Sequence, residues 1–476
     1  MNRKIDQKER IKFSDFVHLF RMKKDIAFFN ALNRKVVFVN YQNPLAAFLT
    51  KAYGNKKEFL MSDIRKRLGT KRIKENLIDS LVTREILIED NVDEKKKIEM
   101  LRKKFLGHPA INVLYLILTD KCNFRCKYCF FEGGFSEDAI FSDMNKEIAK
   151  RSIDLYQKSL ENALKKGLVE PKDANVILYG GEPLLNMETM RFVVKYIAKL
   201  KEKNLLPKEL SININTNGSL LTKDICRFLK KYRIENDISI DGPAEIHDQC
   251  RFYCEGKGTF RDVIRGFYLS KKEGVKTCIS CTIGEHNIGK LSEVFKWFID
   301  ELKPNAVGFN PPLWNPQIEI DSSYNEKVSK ALIECFDIAR KRGMYEARMM
   351  RKVRAFIEGY TYPFDCCAHG KQLVISPSGK IGTCHAYCGS GKFFTEFNKK
   401  FDPYDHQYWK KWSSVSPLNN EKCQNCEAIS ICGGGCSYNA EMKYGDISAI
   451  DPSFCMHAKD TLKWLIEDLY EKTISI

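Results

Sequence analysis

Residues 119–131, TDKCNFRCKYCFF, set the tightest limit on what this chain can fold into. Cys122, Cys126 and Cys129 stand in CxxxCxxC spacing directly after an apolar run, INVLYLILT. A short apolar run of this length reads as a buried strand, so the thiols sit on a loop at a strand end. Three thiolates on one loop can hold three irons of a [4Fe–4S] cube, since such clusters are bound by Cys. The fourth iron is left without a protein ligand, and a small molecule can chelate there. The other readings of three such thiols are a zinc knuckle or three buried free cysteines. What lies downstream decides between them.

From residue 111 strand-like and helix-like stretches alternate. INVLYLILT precedes a helix over 145–165, NVILYG one starting near Met187, and SININT one from Thr222. NDISID precedes a helix from Thr259 and KTCISCTI one from Lys290, and PNAVGFN follows as a sixth strand. Repeated βα units imply a parallel sheet. Six units rather than eight point to an incomplete TIM-like barrel, with its chemistry at the strand C-termini. Motifs fall at those ends. YGGEPLLN follows the second strand: Gly180 and Gly181 let backbone approach a ligand, and Glu182 can accept from an ammonium group. NTNGSLLT follows the third and places Asn215 and Asn217, short amides suited to a ribose or a carboxylate. SIDGPAEIHDQCR follows the fourth, with Ser239 at its head; Arg251 reads either as a carboxylate partner or, more commonly for an Arg at a helix start, as a surface residue. Cys278 and Cys281 form a CxxC inside a strand, where positions three apart face opposite ways, so no metal site is expected there.

The cysteine loop with Tyr128 before its last Cys, followed by GGE, resembles the radical S-adenosylmethionine (SAM) superfamily. The resemblance implies the partial (β/α)6 barrel and SAM on the open iron through its amino and carboxylate groups. It also implies that the segment of Gly180, Gly181 and Glu182 binds the methionine amino group, with Ser239 near the carboxylate. The run ISIDGPAEIHD through GKGTF resembles the branch with a C-terminal cysteine-rich domain.

That second cysteine field starts at residue 366. Cys366 and Cys367 are adjacent, Gly379 precedes Cys384 by five positions, and Cys388 follows. Cys423, Cys426, Cys432 and Cys436 come in Cx2Cx5Cx3C spacing, with Cys455 beyond. A zinc ribbon needs only paired CxxC units, and this field holds more ligands than that. The pattern resembles the SPASM domain, which implies two auxiliary [4Fe–4S] clusters. Cys423, Cys426, Cys432 and Cys455 would hold the distal one. Cys384, Cys436 and Cys366 would hold the proximal one, its fourth position taken by Cys367 or Cys388 or left open.

Residues 13–42 read as short strands, FVHLF, IAFFN and KVVFVN. Pro44 opens a helix that Gly54 ends, two more helices follow, and ILIED closes a winged-helix-like module. Residues 1–110 hold 26 Lys and Arg against 14 Asp and Glu, most of a formal excess of +17 over 476 residues. A basic winged helix raises nucleic-acid binding first. In front of this core it looks instead like the leader-recognition element of ribosomal-peptide maturases, capturing a peptide by strand addition; nucleic acid is not the expected partner. The expected organisation is 1–90 recognition module, 91–109 linker, 110–320 partial barrel, 321–365 bridging helices and 366–476 SPASM domain.

The charged N-terminus lacks a signal-peptide core, and no apolar run has membrane-spanning length. A cytoplasmic location is expected, where 18 cysteines point to metal or redox chemistry rather than disulfides. The expected function is a radical SAM oxidoreductase acting on a leader-bearing precursor peptide, with flavodoxin or ferredoxin as electron donor. It would take a hydrogen from the peptide and form a side-chain crosslink, a thioether first and a carbon–carbon bond next. The resemblance extends to anaerobic sulfatase-maturating enzymes, which form formylglycine. That family places an Asp directly after the Gly-x4-Cys cysteine as a base; this chain has His385 there, a positional candidate for a catalytic base. An iron–sulfur redox or nucleic-acid-binding scaffold is the alternative from another class, and the GGE segment argues against it.

Overall fold

The computed structural model describes residues 9–55, 58–68, 72–131, 141–313, 323–398 and 400–474. The N-terminal part builds two small antiparallel sheets. The strands are β1 (Arg10–Phe13), β2 (Val17–Arg21), β3 (Asp25–Asn30), β4 (Lys35–Asn40), β5 (Phe59–Leu60) and β6 (Leu87–Glu89). One sheet runs β5-β1-β6 and the other β2-β3-β4. The strand β1 is additional to the sequence reading. It gives ILIED its partner, pairing Ile11 with Glu89 and Phe13 with Leu87. Between the strands lie helices Pro44–Gly54, Met61–Leu68 and Arg72–Thr83. The first starts on Asn43, whose side chain accepts from the Leu45 amide, with Pro44 as its first residue.

Strand alternation makes the β2-β3-β4 sheet two-faced, and both faces are covered. Ile26, Phe28, Val37 and Val39 pack with Leu45 and Leu49 in a core of the N-terminal part. Ala27, Phe29 and Val36 point the other way, into the main core of the molecule. There the Phe29 ring stacks on Phe356, 6.1 Å between centroids. Phe38 meets Tyr470 at 5.2 Å, and the Tyr470 hydroxyl donates to Asp25 Oδ2 at 2.5 Å.

Helix Lys95–Phe105 leads to the central sheet. Its strands are β7 (Val113–Thr119), β8 (Asn175–Gly180), β9 (Ser211–Thr216), β10 (Glu235–Ser239), β11 (Thr277–Thr282) and β12 (Val307–Asn310). Later come β13 (Gln372–Ile375), β14 (Lys380–Gly382) and β15 (Phe394–Glu396). Across the sheet the order is β12-β11-β10-β9-β8-β7-β13-β14-β15. The six expected βα strands are there in sequential, parallel order. The ends of the sheet do not pair with each other among the described residues, so the barrel is partial. The helices begin where capping side chains allow. Asn145 accepts from the Ile148 amide, Asn186 from Thr189 and Thr222 from Ile225.

The sequence reading did not anticipate the seventh parallel strand. β13 adds to the β7 edge, pairing Gln372 with Val113 and Val374 with Tyr115. The chain then turns at Gly379, whose φ of 84° suits glycine, and returns as β14. Trp409 pins this edge, its indole N–H donating to the Gln372 carbonyl at 2.8 Å. The consequence is positional: Cys384 and His385, just after β14, come to lie beside Tyr115 of β7. No helix among the described residues is long and apolar enough to cross a membrane.

Candidate active site

A cavity of about 940 Å³ opens at the C-terminal ends of the strands. Cys122, Cys126 and Cys129 line one side of it, with Tyr128, Gly180, Gly181, Asn215, Asn217 and Ser239. Cys366, Cys367, Cys384, Cys436 and His385 line it as well. Two cysteine fields more than 230 residues apart in sequence thus face one space.

The cluster loop is held by backbone bonds to the GGE segment. The Gly181 amide donates to Thr119 O at 2.9 Å and the Glu182 amide to Lys121 O at 2.8 Å. The approach is too close for side chains: a Cβ on Gly181 would stand 2.3 Å from Lys121 O, and one on Gly180 2.3 Å from Thr119 O. On its other flank the loop is tied by Arg125 N to Phe252 O and Lys127 N to Cys250 O.

Glu182 departs from its expected role. It is fully buried and absent from the cavity wall. Its carboxylate accepts from Thr216 Oγ1 at 2.6 Å, Asn217 N at 2.7 Å and Leu184 N at 3.1 Å. Burial pushes it up to about 7 against those bonds. What this segment offers the cavity is the backbone of Gly180 and Gly181, and Glu182 braces the β8 and β9 ends behind it. Asn217 has a double use, its amide nitrogen Nδ2 donating to Asn123 Oδ1 of the cluster loop at 2.9 Å.

Arg251 is not a surface residue. It is 7% exposed and lies within the cavity wall. Its Nε and Nη2 donate to Asp241 at 3.0 and 3.3 Å, its Nη1 is 4.0 Å from Cys126 Sγ, and its guanidinium lies 5.2 Å over the Tyr128 ring. The fully buried Asp241 also accepts from the Tyr128 hydroxyl, from Thr282 N at 3.0 Å and from His286 Nε2 at 3.3 Å. Burial opposes its ionisation, but Arg251, followed by His286, holds it well below the usual carboxylate range. Burial lowers His286 in turn, but its hydrogen bonds to Asp241 and Cys250 and the charges of both together bring it to about 9. Neither Asp241 nor His286 stands out in the sequence as a site residue. Asp241 lies in the quoted SIDG run, but nothing in the chain order reveals that four elements converge on it.

His385 is wedged among aromatic rings, 4.9 Å from Tyr115, 5.3 Å from Tyr179 and 5.5 Å from Phe130. Burial lowers its pKa to about 4, and its Nδ1 is buried without a hydrogen-bond partner. It is a neutral ring in the cavity wall.

The C-terminal thiols form two groups. Cys366, Cys384 and Cys436 stand close enough for Cys366 and Cys436 to raise the pKa of Cys384 beyond the effect of burial. Cys423, Cys426 and Cys432 do the same to Cys455, which reaches about 12. Cys367 neighbours Cys366 and lines the cavity, whereas Cys388 packs with Phe131 and Val374 and adds to the rise of Cys384. Cys278 and Cys281 diverge as expected, the first toward Asp237 and the second toward Asp241 and Cys335. Among the described residues no set of three or more His, Cys, Asp or Glu closes on a single metal ion. The thiol-only donor sets, the glycine cradle and the size of the cavity fit polynuclear iron–sulfur groups with a nucleoside-sized cofactor.

Residues 116–298 match the family model of the radical SAM superfamily. The chain is 27% identical over 380 residues to the radical SAM cyclopropyl synthase TigE of Paramaledivibacter caminithermalis, covering 77% of this chain and 75% of that protein. It is 24% identical over 381 residues to a cysteine-type anaerobic sulfatase-maturating enzyme of Clostridium novyi, covering 77% and 96%. Its fold is similar to that of Streptococcus suis SuiB bound to its precursor peptide SuiA, with a TM-score of 0.51 at 17% identity over 94% of this chain and 99% of SuiB. Residues 116–298 thus match the radical SAM superfamily, whose cofactors are a [4Fe–4S] cluster and SAM, and a cysteine-rich C-terminal part follows them.

Proposed function

We propose that this protein is a peptide maturase that crosslinks side chains of a ribosomally made precursor, a thioether being the first product and a carbon–carbon bond the next. The observation that carries the reading is the shared cavity, lined both by Cys122, Cys126 and Cys129 and by Cys366, Cys384 and Cys436. In this reading the first three thiols hold the SAM cluster and the second set, with Cys367 or Cys388 as a fourth ligand or that position open, holds a proximal auxiliary cluster. Cys423, Cys426, Cys432 and Cys455 hold a distal one. Bound there, cluster and SAM supply a carbon-centred radical that takes hydrogen from an unactivated C–H bond.

The protein's own residues position and shield. Gly180 and Gly181 would bring backbone against the amino end of SAM, and Asn215, Asn217 and Ser239, which line the same cavity, would hold its ribose and carboxylate. Tyr128, bonded to Asp241, holds the cluster loop in register. Tyr115, Tyr179, Phe130 and His385 give the substrate an apolar wall that keeps water from the reacting carbon. His385, with its low pKa, serves there as wall rather than as a strong base.

The leader would dock on the basic N-terminal part, with a flavodoxin or ferredoxin as reductant, in the cytoplasm. The fold likeness to the peptide-bound SuiB extends over 94% of the chain, which favours a substrate that needs the N-terminal part. The second reading is sulfatase maturation, favoured by the alignment over 96% of the Clostridium novyi enzyme. His385 in place of the expected Asp weighs against it.

The test is anaerobic coexpression with the small peptide encoded beside the gene, read by mass spectrometry. Loss of two hydrogens per modified site, with thiols no longer open to alkylation, is the expected result. An unmodified peptide, with SAM still cleaved, would overturn the substrate and favour the sulfatase reading. No 5′-deoxyadenosine from reduced, cluster-loaded protein would refute the enzyme reading itself.

A further inference from the structure

Cys432 and Cys366 belong to different thiol sets, and a group of charges centred on the buried Lys352 and Asp365 lies between them. Helix Ala347–Glu358 supplies three cations on one side, Arg348, Arg351 and Lys352. All three converge on Asp365, the residue before Cys366. Lys352 Nζ is 3.5 Å from Asp365 Oδ1, Arg348 Nη1 is 3.6 Å from Oδ2, and Arg351 Nη1 donates to the Asp365 carbonyl at 3.3 Å. Lys352 is 1% exposed, and its ammonium also donates to the Cys432 carbonyl at 3.2 Å. The Asp365 amide closes the loop by donating to Gly433 O at 2.8 Å. The other carboxylate at hand, Glu346, is spent on capping the helix through the Arg348 and Met349 amides.

One carboxylate thus serves the buried Lys352 and the largely buried Arg348, while Arg351 is exposed at the cavity, and an isolated buried charge is costly unless paired. The thiolates of an iron–sulfur cluster supply the missing negative charge, and Cys432 is the thiol nearest to Lys352 through its own carbonyl. Net charge and hydrogen bonding near the sulfurs are what set a cluster's potential. A buried ammonium favours the more negative, reduced state, because low dielectric lets its field reach the cluster undiminished.

We propose that Lys352 is a positioning residue that raises the reduction potential of the cluster held by Cys423, Cys426, Cys432 and Cys455, making it a readier electron acceptor than its ligands alone would. This rests on reading those four thiols as cluster ligands.

The experiment compares full-length, anaerobically reconstituted Lys352→Gln and Lys352→Arg with the unaltered protein, by iron analysis and potentiometric titration followed by electron paramagnetic resonance. Gln keeps a donor for Cys432 O and loses the charge, while Arg keeps the charge. Lys352→Gln is expected to hold full iron and shift one auxiliary cluster negative. At fixed potential the reduced-to-oxidised ratio should fall about tenfold, about 59 mV for a one-electron couple. The SAM cluster serves as internal reference, and Lys352→Arg should stay near the unaltered value. An unchanged midpoint in an iron-replete Gln variant overturns the proposal. If that variant does not hold its iron, Asp365→Asn must move an auxiliary midpoint positive, and no movement there overturns it equally. Iron for fewer than three clusters in the unaltered protein overturns the thiol assignment instead, a failure distinct from that of Lys352.

Discussion

Asp241 takes hydrogen bonds from Tyr128, Arg251, His286 and Thr282 while fully buried. Asp241→Asn keeps the shape and removes the charge, leaving Arg251 buried beside Cys126 without its counter-ion. Breaking a buried pair in this way costs about 3 to 5 kcal/mol. The expected outcome is a lower urea midpoint together with weakened SAM binding, measured by equilibrium unfolding and by titration of the reconstituted protein. An unchanged midpoint would mean that Arg251 finds another partner. Cys126→Ala tests the same wall from the metal side: the cube loses a ligand, and SAM cleavage, read as 5′-deoxyadenosine, should disappear. Cleavage at the unaltered rate would remove Cys126 from the ligand set. At this scale the sequence was legible where spacing carries the signal, as in the CxxxCxxC loop. It was not legible for Arg251, because ten residues of chain separate it from Asp241 and only tertiary folding closes that gap.

The elements around the cavity show the same division. The six βα strands and the helix starts at Asn145, Asn186 and Thr222 follow from local patterning and caps, and the structure repeats them. The β13–β14–β15 edge does not follow from local patterning. VISPSGKIGTC shows its cysteine and glycine spacing, while its pairing with β7 across 259 residues leaves no local mark. That edge carries Cys384 and His385 to the cavity, so half of the site depends on a long-range pairing. The GGE segment allows a sharper test of how elements position chemistry. A Cβ on Gly181 would meet Lys121 backbone at 2.3 Å, and backbone cannot swing aside as a side chain can. Gly181→Ala should therefore displace the loop bearing Cys122 and reduce SAM affinity at least tenfold, while helix content by circular dichroism stays the same. Full affinity in the Ala variant would show that the loop tolerates the shift.

Across the whole molecule, the N-terminal part is bound into the fold rather than tethered to it. The β2-β3-β4 sheet buries one face among its own helices and the other in the main core. Glu94, 4% exposed, accepts from the Ser14 hydroxyl and the Asp15 amide, and Arg102 of the following helix donates to Leu418 O at 2.7 Å. The expected linker over 91–109 is therefore crossed by contacts on both sides. Helix Ala347–Glu358 meets Phe29 through Phe356 near its C-terminus and sends Arg348 and Arg351 to the cavity from its N-terminal half. A leader peptide docked on the N-terminal part would thus press on a helix that also forms the cavity wall. If the packing is this continuous, the chain should unfold in one calorimetric transition, with no separate low-temperature melting of the N-terminal part. Phe29→Ala removes the ring between the two cores and should lower stability by about 3 to 5 kcal/mol. Because that ring joins the parts, the variant should split the single transition into two. Phe28→Ala, in the N-terminal core alone, should lower the melting temperature by a similar amount without splitting it. Two transitions in the unaltered protein would mean that the N-terminal part is a separately folding unit whose contacts with Phe356 and Tyr470 do not couple it to the barrel.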